Sequence, residues 1–446
     1  MMASARKKNQ LEVIKLFTKE SSMAYTLLIA QLVFNSFRPD RLLPGGSIVL
    51  YFPTVILVIL FGLWLIEPKK TISNTQTKLY VVFIIVMLLG MIFARNRSWA
   101  LHQIWTHIIY IFLPYLVIVQ FVDTNYKVEK YTRLFFILSL FLGLMGIAKK
   151  AMIPVPVLAD ENDFSLFMNL LIPIGFFLAQ NEEKRWKKIF FYTAVGVFVF
   201  GTITSFSRGG FVGLISVGAF VFLKSKNKIA TVVLVILIVS FAIAYAPSGY
   251  WEEMRTITAE GAEEGTGRER VETWKAGLKM FLDHPITGVG PLNFGMWLSD
   301  YYGSYSSKEP GVMWGRAAHS LYITLLSETG LSGLIVFVLM LWNNYKDHRY
   351  IANMENTKNN LLKHANLSNE ENNIVSLGIR RLYNISLGYS GAMVAFLVTG
   401  IFLSVLWYGY FWMLMSFHVM TANAARNMCN ILKERGRLNT NSLEAH

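Results

Sequence analysis

Charge is scarce in this sequence: Asp, Glu, Lys and Arg make up 16% of its 446 residues. A soluble domain carries about a quarter, so the composition excludes an ordinary water-soluble fold. There is one cysteine, Cys429, which rules out an internal disulfide. No carboxylate pair, histidine cluster or cysteine set has metal-ligand spacing, so no metal site is expected. P-loop, G-x-S-x-G and dinucleotide-binding patterns are missing too, which argues against cytosolic ATP chemistry and gives no cofactor. The basic start "MMASARKKNQ" leads into a mixed amphipathic stretch, not a short apolar core with a small-residue cleavage site. No cleavable signal peptide is therefore expected.

What the chain has is apolar length. Hydrophobic residues reach 54% and aromatic ones 14%. They gather in runs of about 20 residues, enough to cross a hydrocarbon core. The expected spans are 23–37, 47–66, 78–94, 104–122, 133–148, 164–180, 188–205, 209–223, 229–246, 319–342, 382–404 and 406–421. The first is short and interrupted by Gln31 and Asn35, and the last two are parted by a tight "WYGY" turn. The predicted fold is an all-α polytopic membrane protein with about twelve transmembrane helices and one large, partly helical extracytoplasmic loop.

The net charge of +14 would suggest nucleic acid in a soluble protein. Here its distribution accounts for it. With the N-terminus inside, "RKK", "EPKK", "YKVEKYTR", "EEKRWKK" and "KSKNK" all face the cytoplasm. Of the 42 Lys and Arg, about two thirds fall inside, and half of the outer ones lie in the single long loop 247–318. This is the positive-inside bias, and it removes any need for a nucleic-acid partner. The organisation expected is a membrane region 1–246, an extracytoplasmic loop domain 247–318, a second membrane region 319–421 and a cytoplasmic tail 422–446. The runs 69–78 and 343–381 read as solvated linkers.

Within the long loop, "TGRERVETWKAGLKMFLDHP" predicts a helix. Thr266 and Glu269 suit a capping box, Val271, Trp274, Leu278 and Phe281 make an apolar stripe, and Pro285 follows the end.

The chemistry is expected at helix starts on the outer face. In "TITSFSRGGF", Ser207 is placed to N-cap the eighth span with Arg208 in its first turn. A helix N-terminus carries about half a positive charge and disfavours an arginine. The placement makes sense if an anion binds there. Unpaired backbone N–H groups, the close approach allowed by Gly209 and a forked guanidinium then form a phosphate site. The loop helix repeats the pattern with Arg268 and Arg270 in its first turn. Arg270 borders the Trp274–Phe281 side of the stripe, and Arg268 projects from the opposite flank. Arginines near span ends also commonly reach out to lipid headgroups.

In "AAHSLYITLLSETGLSGL", His319 opens the tenth span and is the best candidate base among the outer-face groups. Tyr322, one turn below, is placed to line a site or to pack at the interface. Glu328, about 180° around the helix, is expected to pair with a neighbouring helix. Asp160, Glu161 and Asp163 in "DENDF" suit helix capping. Arg95, Arg97 and His102 are placed for headgroup contacts.

The order "SRGG", then "R-x-x-x-W…DHP-x-x-G-V-G-x-x-N-F", then "AHS-x-Y…SETG-L-x-G" resembles the O-antigen ligase and polymerase superfamily over about 202–335. "ENDFSLFMNLLIPIGFFL" is similar to an Asn-Asp segment in some of its subgroups. The resemblance implies an inverting, metal-independent glycosyltransferase at the outer, periplasmic face of the inner membrane. Its donor would be a glycan on undecaprenyl pyrophosphate, and its acceptor a glycan or glycolipid hydroxyl such as lipid A-core. By motif position Arg208 and Arg270 would hold the diphosphate, with Arg268 ranked lower, and His319 would be the base. Ser207, Gly209 and Tyr322 are placed beside them for substrate. Ser320 stands where the family has asparagine; its hydroxyl is expected to cap the helix instead. Ligase and polymerase share donor and chemistry and stay open. A lipid-linked glycan transporter is the reading from another class, disfavoured because almost no ionisable residue lies deep in a span.

Overall fold

The computed structural model describes residues 22–37, 52–68, 70, 74–149, 160–229, 231–232, 236, 240, 265–302, 315–365 and 367–443. Among these the protein is all helical. The helices are α1 (Met23–Phe37), α2 (Phe52–Ile66), α3 (Thr75–Met91), α4 (Arg97–Phe121, with a π turn at Ile108–Phe112), α5 (Asn125–Ala148), α6 (Glu161–Gln180) and α7 (Arg185–Thr204). They continue as α8 (Arg208–Lys224), α9 (Gly265–Asp283), α10 (Phe294–Tyr301), α11 (Leu321–Asn356), α12 (Lys358–Ala365), α13 (Asn369–Thr399) and α14 (Gly409–Leu443).

Among the described residues six helices are long and apolar enough to cross a membrane: α4, α5, α6, α7, α11, and α13 with the 3-10 turn that extends it to Phe402. Helices α1, α2 and α3 are apolar but shorter. A count of twelve crossings is therefore not established. The ninth expected span lies mostly outside the described residues, as does much of the 247–318 loop.

Two expectations about connections are corrected. The stretch 343–381 is not a linker: α11 runs on to Asn356, α12 follows, and α13 begins at Asn369. Polarity along this stretch marks exposed helix rather than loop, and a capping box of Ser368 with Glu371 starts α13. The tail is likewise helical as far as Leu443. In place of a tight "WYGY" turn, the chain passes through the 3-10 turn Gly400–Phe402 and a further non-helical stretch before α14.

Helix α6 is the centre of the bundle, buried from Phe164 to Ala179 and packed by α7, α8 and α13. Small residues let α13 come close: a Cβ on Gly388 would stand 3.0 Å from the Ile174 Cα, and one on Gly391 2.6 Å from the Pro173 Cβ. Ionisable side chains do lie buried in these helices, contrary to expectation: His107, Glu328, Asp347 and His418. Asp347 pairs with Arg426, and His107 sits edge-on to Trp407 and Trp412 in an aromatic cage.

The feature that positions the site is a break in α11. Gly330 takes φ 62° and ψ −162°, a region essentially confined to glycine. The break exposes peptide groups that would otherwise pair within the helix, and in an apolar bundle they must find partners. The segment after α9 supplies them. Val289 and Gly290 N–H donate to the Ser327 and Glu328 carbonyls at 2.8 and 3.1 Å. Leu331 and Ser332 N–H donate to the Pro285 and Ile286 carbonyls at 2.8 and 3.2 Å. The Glu328 carboxylate completes the joint. It accepts the Leu292 and Phe294 N–H groups at 2.9 and 3.1 Å and the Trp407 indole N–H at 2.8 Å. The expected pairing of Glu328 with a neighbouring element is thus seen, with two partners at the start of α10.

Gly330→Ala should lower the thermal unfolding midpoint in detergent, corresponding to a loss of about 2 kcal/mol or more. Its Cβ would lie 2.5 Å from the Ile286 carbonyl oxygen. Gly62→Ala, with nothing within 4 Å, should leave the midpoint unchanged or slightly raised. Equal midpoints for the two variants would contradict the joint.

Candidate functional site

Helix starts converge at the end of the bundle where the loop docks. Ser207 caps α8 as expected: its Oγ accepts the Gly210 N–H at 3.0 Å. The same hydroxyl donates to Asn162 Oδ1 at 2.8 Å, which ties the start of α8 to the start of α6. Asn169 Nδ2 adds a bond to the Gly210 carbonyl at 2.8 Å. Phe206, just before the cap, is left-handed at φ 57° and turns the chain sharply out of α7.

The glycine pair has a packing cause. A Cβ on Gly210 would collide with Ser165, and one on Gly209 would stand 3.3 Å from Phe402. The side of Gly209 expected to admit a ligand thus faces Phe402.

Asp160 caps α6, accepting the Asn162 N–H at 2.6 Å. Asp163 accepts the Tyr408 hydroxyl at 2.5 Å, so the acidic "DENDF" start serves capping and packing.

Helix α9 brings the second arginine. Its buried face is Thr273, Ala276, Gly277 and Met280, while Leu278 is 44% exposed. The predicted stripe through Leu278 is therefore corrected. Small residues face inward because α9 lies hard against α11: a Cβ on Gly277 would strike Ile323. The backbone at Thr266 and Arg268 is helical, but their side chains lie outside the described residues. Glu269 forms an ion pair with Arg316 at 2.7 Å.

Trp274 links α9 to the candidate base. Its indole N–H donates to the Ala318 carbonyl at 3.0 Å, fixing the peptide before His319. Because Arg270 lies one turn before Trp274 on the same helix, this bond brings Arg270 beside His319. His319 is held left-handed at φ 48°, an uncommon conformation for a residue with a side chain; the residue keeps access to solvent while its imidazole is partly sheltered. Ser320 occupies the cap position of α11 but makes no side-chain cap bond. Its buried carbonyl instead accepts from Thr324, so the expected hydroxyl cap is absent.

Charge follows this geometry. Partial burial, then the positive field of Arg208, lowers the proton affinity of the half-buried Arg270. For His319, burial and then Arg270 push the pKa below the ordinary histidine value, with Arg316 adding to the effect. Asp160 and Glu269 oppose it. Arg208, Arg270 and His319, from three separate parts of the chain, are thus brought into one electrostatic neighbourhood.

Other expected residues have different duties. The Tyr322 hydroxyl donates to the Leu397 carbonyl at 2.9 Å, tying α11 to α13. Arg95 has partners within the protein. It lies over the Trp297 ring at 4.5 Å, donates to the Met296 carbonyl at 3.0 Å and pairs with Asp300, pinning α10. Arg97 bonds the Ile92 carbonyl at 3.4 Å, and His102 is exposed. Sequence reasoning missed Arg316. The available signal was its position three residues before His319 in "GRAAHS".

No curated protein matches the chain. Residues 193–338, which carry α8, α9, α10, the break in α11 and the arginine–histidine neighbourhood, match the O-antigen ligase family model and support a place in the O-antigen ligase and polymerase superfamily.

Proposed function

We propose that the protein is an O-antigen ligase-like glycosyltransferase that moves a glycan from undecaprenyl pyrophosphate to an acceptor hydroxyl, with inversion and without a metal. The observation that carries this reading is the meeting of Arg208, Arg270 and His319 at one end of the bundle. Two guanidinium groups near each other concentrate positive charge, which favours a polyanion. A diphosphate matches the forked donors of both arginines. The positive-inside bias puts this end on the outer face of the inner membrane.

In the proposed step the acceptor oxygen attacks the anomeric carbon as the C–O bond to pyrophosphate breaks. The bonding pair leaves with the phosphate, where Arg208 and Arg270 stabilise the growing charge. His319 takes the hydroxyl proton. The downward direction of its pKa favours the neutral imidazole, the form a base requires. A ligase delivers the chain to lipid A-core or a similar acceptor, and a polymerase to another lipid-linked repeat. Ligase is favoured because the motif string from "SRGG" to "SETG" is kept, with Ser320 as its departure from the family pattern. A transporter is less well supported: among the described residues the buried carboxylates Glu182, Glu328 and Asp347 are committed to structural partners.

With lipid-linked oligosaccharide and an acceptor in detergent, without ATP or a gradient, Arg208→Ala and Arg270→Ala should each reduce transfer by about a hundredfold or more. Both variants should still insert normally. Lysine at either position should recover only part of the rate, since a point charge cannot fork across phosphate oxygens. Full activity in the alanine variants would remove the diphosphate site.

The pH dependence has a definite sign. A positive neighbour disfavours the imidazolium, so the acid limb of kcat/KM, which reports the free enzyme, should lie below the ordinary histidine value of about 6.5. Arg316→Gln removes one such neighbour, so the limb should move to higher pH. A limb that stays in place or moves down would exclude His319 as the titrating base.

A further inference from the structure

Helix α6, about 30 Å long, ends at the opposite side of the bundle from the candidate site. There the starts of α5 and α7 and the first half of α13 border an open cavity of about 590 Å³. Four cations line it, Lys130, Arg133, Lys187 and Arg381, against two carboxylates, Glu129 and Glu182.

The carboxylates are taken up by arginine. Arg133 pairs with both, and Arg381 reaches Glu129 at 3.5 Å and Glu183 at 3.7 Å. Lys130 and Lys187 have no carboxylate partner among the described residues; their ammonium groups lie near the Tyr25, Tyr126 and Trp186 rings. Lys187 also stands in the first turn of α7, whose cap residue Lys184 makes no side-chain cap bond. Positive charge at that helix start is unfavourable by itself.

Two further observations give the ligand its shape. Leu134 and Ile137 follow Lys130 along α5 and continue the cavity wall, and Ile137 is 46% exposed on the bundle surface. A smaller adjoining cavity shares Tyr126, Glu129 and Arg381 and is lined by Asn125. Asn125 is 5% exposed, and neither of its amide atoms has a hydrogen-bond partner. A buried amide left in this way is costly and offers both a donor and an acceptor to a hydroxyl group.

We propose that this cavity binds an anionic phospholipid with a hydroxylated headgroup. The phosphate sits between Lys130 and Lys187, the headgroup hydroxyls reach Asn125, and an acyl chain runs along Leu134 and Ile137. The site is remote from the arginine–histidine neighbourhood and does not depend on the reaction assigned to it.

The test is native mass spectrometry of the full-length protein in detergent, titrated with short-chain phosphatidylglycerol. Phosphatidylglycerol should bind more tightly than phosphatidylcholine, and equimolar inorganic phosphate should not displace it. The double variant K130Q/K187Q should bind it about tenfold more weakly or worse, with an unchanged unfolding midpoint in the absence of lipid. K346Q/K363Q, which loses the same charge elsewhere at that end, should bind like the wild type. Wild-type affinity in K130Q/K187Q, an equal loss in K346Q/K363Q, or displacement by inorganic phosphate would each overturn the proposal.

Discussion

A broken helix inside an apolar bundle cannot leave its peptide groups unpaired, and this constraint organises one whole end of the protein. The break at Gly330 presents carbonyls on one side and N–H groups on the other. A segment packed closely against it can satisfy both. The "DHPITGVG" stretch does so, and the buried Glu328 carboxylate closes the joint by taking two more N–H groups and the Trp407 indole. Because α9 leads directly into this segment and α11 carries the break, the joint sets where Arg270 and His319 stand relative to each other. Motif residues such as the glycines and Glu328 are thus the frame that holds the chemistry.

The frame gathers like charge, and that is its physical cost. Arg208 adds to burial in lowering the proton affinity of Arg270, and Arg316 adds a further positive charge felt by His319. Glu269 offsets Arg316 directly, and Asp160 contributes from the start of α6. On the proposed reading the remaining excess is cancelled by the donor diphosphate. The same anion would ease protonation of His319 as the acceptor is deprotonated, which couples binding of the leaving group to the base.

Much of this was legible in the sequence because it follows from local rules. Apolar runs mark the helices, and Ser207 before Arg208 marks a capped start that α8 has. Other features depend on contacts that no local rule contains. The polar stretch 343–381 reads as linker because hydropathy registers where a helix leaves the apolar layer and says nothing of where it ends. Leu278 reads as core because it is apolar, whereas α9 turns Ala276 and Gly277 inward to approach α11. Ser320 reads as a cap by residue type, but Thr324 engages its carbonyl and its hydroxyl makes no cap bond. Arg95 reads as a headgroup contact because its partners, Met296, Trp297 and Asp300, lie about two hundred residues away in sequence.

The most direct test of the central claim is an experimental structure of the full chain with a polyprenyl diphosphate-linked sugar bound. The account predicts the diphosphate oxygens between the Arg208 and Arg270 guanidinium groups at charge-assisted hydrogen-bond distance, about 2.8 Å, with His319 on the sugar side. A diphosphate bound elsewhere, or these three side chains opening onto the cytoplasmic face, would contradict it.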